Sequence, residues 1–235
     1  MIFSEILASG KGNRFGSDLP KQFLKLHQKE ILIKSIDAFF ENEKIDRIIV
    51  VVSEQYLGYT QQLIDKYYPN NNKIDLVIGG LSRADSLMAG IYYIKERYHS
   101  NNQDIVLTHD AVRCFVSQEI IDNNIKALEN CDCVTTAIKC IDTVFAAQDK
   151  HVTACLDRDK LYNIQTPQSF KINKLVSFYE RLSSKEKQSL TDGCGIFLLN
   201  NQEVRIVEGS DYNIKITTPY HYQQAMLIEN LVEKE

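Results

Sequence analysis

The chain predicts an α/β fold built on a doubly wound, mainly parallel sheet with a protruding β-arm. Three observations carry this. Short apolar runs recur at Ile2–Leu7, Arg47–Val52, Ile74–Ile78, Ile105–Thr108 and Val134–Lys139. Stretches with helical spacing lie between or beside them, at Ile31–Phe40, Gln55–Tyr67, Ser82–Tyr98 and Gln118–Leu128. Buried strands alternating with amphipathic helices are the pattern of a parallel sheet covered on both faces. After Lys139 the rhythm changes: Thr143–Ala147 and His151–Leu156 read as two strands joined around Gln148-Asp149-Lys150 without a helix. That is an arm, at about 139–163, projecting from one domain that spans residues 1–235.

The first run opens into Ala8-Ser9-Gly10-Lys11-Gly12-Asn13-Arg14. Small residues there expose backbone N–H groups and let a ligand approach. Arg14 and Lys21 add two cations, which a plain turn does not require. The spelling is not that of a P-loop, because Ser17 stands after Gly16 where lysine is needed. Nor is it a dinucleotide fingerprint, because Phe15 occupies the third glycine position.

Further along, Gly79-Gly80-Leu81-Ser82-Arg83-Ala84-Asp85-Ser86 follows a strand and opens a helix. Ser82 and Asp85 fit a capping box, whereas the paired glycines and Ser86 point to a nearby base or ribose. In Thr108-His109-Asp110-Ala111-Val112-Arg113, Asp110 falls at the end of a buried strand, where such sheets present a functional acid. It would hold Mg²⁺ or a ribose hydroxyl. Arg113 would neutralise a phosphate or pair with Asp110, and His109 reads as a packed supporting residue.

Asp157-Arg158-Asp159 and Gln165-Thr166-Pro167-Gln168 mark the return of the arm. The later elements are helices at Lys171–Leu182, Asp192–Leu199 and Pro219–Val232, with strands at Val204–Val207 and Ile214–Thr217. Thr191-Asp192 reads first as a helix cap. Lys215, inside an apolar stretch, is either on an exposed edge or aimed at an anion.

Composition narrows the chemistry. With 27 basic and 31 acidic residues the net charge is −4, which argues against a nucleic-acid surface. The six cysteines form no C-x-x-C pair, and no secretory or membrane-spanning run is visible. These features predict reduced thiols in a cytoplasmic protein that does not engage membranes. No nucleophile with an activating base stands out. Cations, glycines, hydroxyls and one aspartate suit a reaction governed by positioning and charge neutralisation.

Taken together, L-A-S-G-K-G-N-R with P-K-Q-F, G-G-x-x-R-A-D-S, T-H-D-A-V-R, Q-T-P-Q-S-F, L-T-D-G and N-I-K-I-T-T-P resemble one family nearly end to end. It is that of the cytidylyltransferases acting on 2-C-methylerythritol 4-phosphate and ribitol 5-phosphate. The resemblance implies a Rossmann-like nucleotidyltransferase sheet, transfer of a cytidylyl group from CTP to a polyol phosphate with Mg²⁺, and a homodimer built through the arm. It implies that Arg14, Lys21 and Lys215 are catalytic. Ala8, Ser9, Gly10, Gly12, Asn13, Gly80, Ser86 and Asp110 would bind the nucleotide, with Asp110 also on the metal. Arg113, Thr143, Arg158, Thr166 and Thr191 would bind the acceptor, Thr143 and Arg158 reaching from the arm into the neighbouring subunit's site.

Ser9, Leu81, Cys114 and Gly193-Cys194-Gly195 depart from the family's usual residues. The T-H-D-A-V-R, L-T-D-G and N-I-K-I-T-T-P blocks look closer to the ribitol phosphate branch, making ribitol 5-phosphate the favoured acceptor over methylerythritol 4-phosphate. A CTP-binding module without catalysis would have lost Arg14, Lys21 or Lys215, and a nicotinamide-dependent oxidoreductase would have kept the fingerprint that Phe15 breaks.

Overall fold

The computed structural model describes residues 1–10 and 19–232. Its elements follow the predicted alternation: β1 (Ile2–Leu7), a small hairpin of β2 (Lys25–Leu26) and β3 (Lys29–Glu30), α1 (Ile31–Phe40), β4 (Arg47–Val52), α2 (Leu57–Tyr67), β5 (Ile74–Ile78), α3 (Arg83–Tyr98), β6 (Ile105–Asp110), α4 (Gln118–Ala127) and β7 (Cys133–Lys139). The ribbon β8 (Phe145–Gln148) and β9 (His151–Cys155) follows, then β10 (Tyr162–Lys171), α5 (Ile172–Arg181), α6 (Ser184–Ser189), α7 (Cys194–Leu199), β11 (Arg205–Glu208) and α8 (Pro219–Val232). Among the described residues no helix is long and apolar enough to cross a membrane.

Seven strands form the main sheet in the order β11-β7-β10-β6-β1-β4-β5. All neighbours are parallel except β10, which runs antiparallel to both β6 and β7. The cause lies in the ribbon. The chain leaves β7 and returns beside it without a crossover helix, so the returning strand must run the other way. Gln165–Gln168, expected only as the return of the arm, lies within the ten-residue strand β10. Pro167 lacks a donor, and the register of β10 shifts between Ile164 and Gln168.

Side chains of β4 show how the core is split. Ile48, Val50 and Val52 join the cluster beneath α1, α2 and α4, while Ile49 and Val51 join the cluster beneath α3, α5 and α7. That period of two seals both faces of the sheet. A third cluster of Leu26, Ile31, Val112, Cys114, Ile216 and Ala225 docks α8 against the end of β6. The Lys34–Glu229 ion pair adds to this docking.

Two predicted boundaries are corrected here. Ile214–Thr217 is not a strand but an extended strap, held by the Ile216 N–H on the Val112 carbonyl at 3.0 Å. The helix predicted around Asp192–Leu199 starts at Cys194 with Gly193 at its N-cap, and Asp192 stays just outside it, its Oδ1 accepting from the Gly195 N–H at 2.8 Å. The capping box is present as predicted, Ser82 Oγ accepting from Asp85 N–H and the Asp85 carboxylate accepting from Ser82 N–H, both at 3.0 Å.

Candidate active site

Strand exits converge at one edge of the sheet. The N–H of Ala8 donates to Val51, that of Gly79 to Val52 and that of Ala111 to Leu7, so three loops leave the sheet side by side. In this kind of fold, the crevice outside the strands' carboxyl ends is where ligands bind.

The first loop is gripped from two sides. Gln22 Nε2 donates to the carbonyls of Ala8 (2.7 Å) and Gly10 (3.1 Å). Across the crevice, Ser9 Oγ donates to Ser86 Oγ at 2.9 Å, and Ser86 in turn donates toward the Ser82 carbonyl at 2.9 Å, with the Gly80 carbonyl at 3.3 Å. This close approach explains the first of the paired glycines: a Cβ on Gly79 would stand 2.8 Å from Ser86 Oγ and 2.9 Å from Ser9 Cβ. Ala8, Ser9, Gly10, Gly80 and Ser86, predicted to bind nucleotide, are therefore neighbours. Gly12, Asn13 and Arg14 lie outside the described residues. Lys21 opens the short 3₁₀ turn Lys21–Phe23 beside this loop.

Asp110 is the electrostatic centre of the edge. Its carboxylate is 2.8 Å from Lys215 Nζ, 3.3 Å from Arg83 and 3.7 Å from Arg113 Nε, the last an ion pair beyond hydrogen-bond length. Burial by itself would raise the Asp110 pKa. Arg83 first, then Lys215 and Arg113, reverse this and hold the carboxyl well below its usual range. One anion thus gathers three cations into a small volume.

A hydrogen-bonded scaffold fixes this cluster. The Asp110 N–H donates to Thr166 Oγ1 at 3.1 Å, and that hydroxyl donates to His109 Nδ1 at 3.0 Å. The other ring nitrogen, Nε2–H, donates to the Arg113 carbonyl at 2.9 Å. The Arg113 carbonyl requires a hydrogen on Nε2, and the Thr166 hydroxyl suits a neutral ring whose Nδ1 accepts. Burial drives the His109 pKa down to about 4, in keeping with a neutral ring. His109 is a packed support, as its sequence context predicted.

Arg113 donates to the carbonyls of Asn213 (2.8 Å) and Ile164 (3.2 Å). Asn213 Nδ2 donates to the Thr166 carbonyl (2.8 Å) and to Gln165 Oε1 (3.1 Å). With Ile216 buried and Ile214 partly buried in the third cluster, the extended strap turns Lys215 toward Asp110. Lys215 is aimed at an anion, although not from a strand. Gln168 completes the scaffold: Nε2 donates to Asp192 Oδ2 at 3.1 Å and Oε1 accepts from the Gly193 N–H at 3.1 Å, which holds the Thr191-Asp192 turn at the rim.

A recess of about 140 Å³ lies over this cluster, and its walls include Arg83, Asp110, Arg113, Thr166, Thr191 and Lys215. Thr143 and Arg158 stand away from it on the exposed ribbon, Arg158 donating to the Ile141 carbonyl at 3.3 Å. A separate hollow of about 450 Å³, walled by residues that include Lys44 and Asp122, holds none of the residues expected to meet phosphate.

Sequence reasoning missed Arg83 and Gln22. Arg83 carried a signal, because a cation on the first turn of a helix opposes the helix dipole and asks for another partner. That partner is Asp110. Gln22 carried none, since nothing local marks a glutamine that reaches twelve and fourteen residues back.

Comparison with known proteins agrees with the geometry. The family model described as IspD, 2-C-methyl-D-erythritol 4-phosphate cytidylyltransferase, matches residues 2–230. The chain is 43% identical over 235 residues to a ribitol-5-phosphate cytidylyltransferase of Lactiplantibacillus plantarum, covering 100% of this chain and 99% of that protein. Among solved structures, the 4-diphosphocytidyl-2C-methyl-D-erythritol synthase of Anaerococcus prevotii is similar with a TM-score of 0.80 and 30% identity, over 97% of this chain and 96% of that one. The 2-C-methyl-D-erythritol 4-phosphate cytidylyltransferase of Francisella tularensis gives 0.81 and 27%, over 97% and 99%. With this match running from the first strand into the last helix, the chain belongs to the IspD cytidylyltransferase family.

Proposed function

We propose that this enzyme transfers the cytidylyl group of CTP to ribitol 5-phosphate, forming CDP-ribitol and releasing pyrophosphate. The observation that carries the reading is the triad of cations around Asp110, set beside the loop expected to take the nucleotide. The name of the relative sharing 43% of its residues supports ribitol 5-phosphate as the acceptor.

The reaction needs no general base. A phosphate monoester is largely ionised near neutral pH, so its oxygen attacks the α-phosphorus of CTP directly, in line with departing pyrophosphate. The attacking P–O bond forms as the bond to the β-phosphate's bridging oxygen breaks, and the electron pair leaves with pyrophosphate. Two polyanions must be brought together against their repulsion. Arg14, Lys21 and Lys215 would stabilise the charge at the α-phosphate, and Arg113, Thr166 and Thr191 would hold the acceptor. Arg113 lines the recess beside Thr166 and Thr191, which supports a role toward an incoming anion.

The described residues suit magnesium carried in with the nucleotide. Among them no three His, Cys, Asp or Glu side chains converge, so the protein would add the Asp110 carboxylate to a shell made mainly of phosphate oxygens and water. Bound there, the ion would screen triphosphate charge.

The exposed ribbon would complete the site in a homodimer. Ile141, Phe145 and Val152 are exposed on and beside it, and an isolated two-stranded ribbon is marginal in water. Packing on a second copy would cover these side chains and carry Thr143 and Arg158 to the neighbouring site. Mixing Arg158→Ala with Arg14→Ala protomers is expected to restore about a quarter of wild-type activity, since half the dimers then hold one intact site of two. No recovery in verified mixed dimers contradicts the shared site.

Pyrophosphate release from CTP across a panel of polyol phosphates tests the reaction. Turnover with ribitol 5-phosphate well above that with methylerythritol 4-phosphate is expected. The reverse order assigns the enzyme to the other substrate, and CTP binding without turnover on any acceptor assigns a sensor.

A further inference from the structure

Gln22 is 2% exposed and sits between Lys21 and Phe23 on the turn that faces the first loop. Its amide can face the Ala8 and Gly10 carbonyls only through the NH₂ group, because an oxygen there would meet two other acceptors. Both hydrogens are spent on these two carbonyls. The opposite end, Oε1, is buried without a hydrogen-bond partner. Gln22 thus serves the loop through its donor end and leaves its acceptor unsatisfied.

The consequences reach the crevice through peptide geometry. In a planar trans peptide the N–H points opposite to the C=O of the same unit. Drawing the Ala8 carbonyl toward Gln22 therefore turns the Ser9 N–H away from Gln22, as the Ser9 hydroxyl meets Ser86. The turn itself is anchored: Phe23 is 2% exposed, with Tyr56 and Tyr59 rings at 5.1 and 5.2 Å, and the Phe23 and Leu24 N–H groups donate to Pro20 and Lys21. Gln22 is a strut between that anchor and a glycine loop whose backbone would otherwise have many conformations to lose.

We propose that Gln22 is a positioning residue for the nucleotide. It presets the Ala8–Gly10 backbone and the adjacent Lys21 as one unit before CTP arrives, so that little ordering remains to be done on binding. The role rests on the cytidylyl-transfer reading given above.

Titration calorimetry with CTP and Mg²⁺, without acceptor, tests it on three full-length proteins: wild type, Gln22→Glu and Gln22→Met. Both substitutions keep the length of the side chain and remove the paired donors. CTP affinity is expected to fall about tenfold or more in each, the scale of losing two hydrogen bonds. At saturating CTP, kcat is expected to stay within a few-fold of wild type. Lowering the pH is expected to recover part of the Gln22→Glu loss, beginning above the ordinary glutamate range because burial against two carbonyls favours the protonated carboxyl, which regains one donor, and none of the Gln22→Met loss. Should either variant lose its folded circular dichroism, Gln22→Asn, whose amide stops one methylene short, is expected to show the same weakening. Affinity within twofold of wild type in a folded variant overturns the role, as does a fall in kcat with affinity unchanged. Failure of the wild type to bind CTP overturns the function itself; wild-type binding with undiminished variants overturns this role alone.

Discussion

Lys215→Ala is expected to lower kcat/KM for pyrophosphate release by about 10²–10³-fold, the usual loss when one preorganised charge is removed from a developing transition state. The ammonium reaches the crevice because Ile216 is buried and Ile214 packs beside it, forcing the intervening residue outward. It then rests 2.8 Å from Asp110, with 40% of its side chain exposed. That exposure keeps its part in stability small. In the variant Asp110 retains Arg83 and Arg113, so no buried carboxylate is stranded and the melting temperature is expected to move little. Steady-state kinetics in both substrates, paired with thermal denaturation, separate the cases. A loss mainly in kcat supports a transition-state role, a loss confined to KM reduces Lys215 to a binding group, and near-normal turnover removes it from the chemistry.

The second large effect concerns stability and lies beneath α3. Glu5, in the centre of β1, is fully buried, and neither carboxyl oxygen has a hydrogen-bond partner. Gly90 makes room for it: a Cβ there would stand 1.9 Å from Glu5 Oε1 and 3.0 Å from Val51 Cγ2. Burial raises the Glu5 pKa well above its usual value, with Arg83 opposing. Above the ordinary glutamate pKa the unfolded chain therefore releases a proton that the folded chain retains. Stability falls as pH rises from that point to the folded pKa, by up to about 1.4 kcal/mol per unit.

Glu5→Met, similar in length and apolar, removes this cost. It is expected to stabilise the protein by on the order of 3 kcal/mol at pH 7, with the gain shrinking as the pH approaches 4. Urea unfolding from pH 4 to 8 reads both the gain and its slope. A variant no more stable than wild type, or a gap that does not change with pH, contradicts this account of Glu5. Gly90→Ala is expected to destabilise the wild type and to be better tolerated beside Glu5→Ala, since the shorter side chain vacates the position the new methyl needs.

Periodicity revealed most of this fold because the parallel strands are short and largely apolar, β4 wholly so after Arg47, and the helices between them are amphipathic. Where two demands fell on the same residues, the pattern failed. β10 carries Gln165, Thr166 and Gln168 because those side chains wall the recess and support Asp110, so its middle reads as a turn. The Asn213–Thr218 strap has a strand's alternation but only a loop's hydrogen bonds, because its partner is a third apolar cluster rather than a sheet edge. Asp110 was legible from its place at a strand end. Arg83 was legible only as a first-turn cation in want of a partner, since that partner lies 27 residues away on another element. Glu5 broke an apolar run in plain view, yet the space that admits it depends on Gly90, which sequence spacing alone does not connect to it.

At the carboxyl edge of β1 and β6, cations gathered by one anion bring two phosphorylated reactants together. A crystal structure with CTP and magnesium would show whether they do. The prediction is a triphosphate lying over the Ala8–Gly10 turn within reach of Lys21, with Lys215 contacting it while Asp110 remains nearby. A nucleotide bound elsewhere on the sheet, with Lys21 and Lys215 both remote from its phosphates, would contradict it.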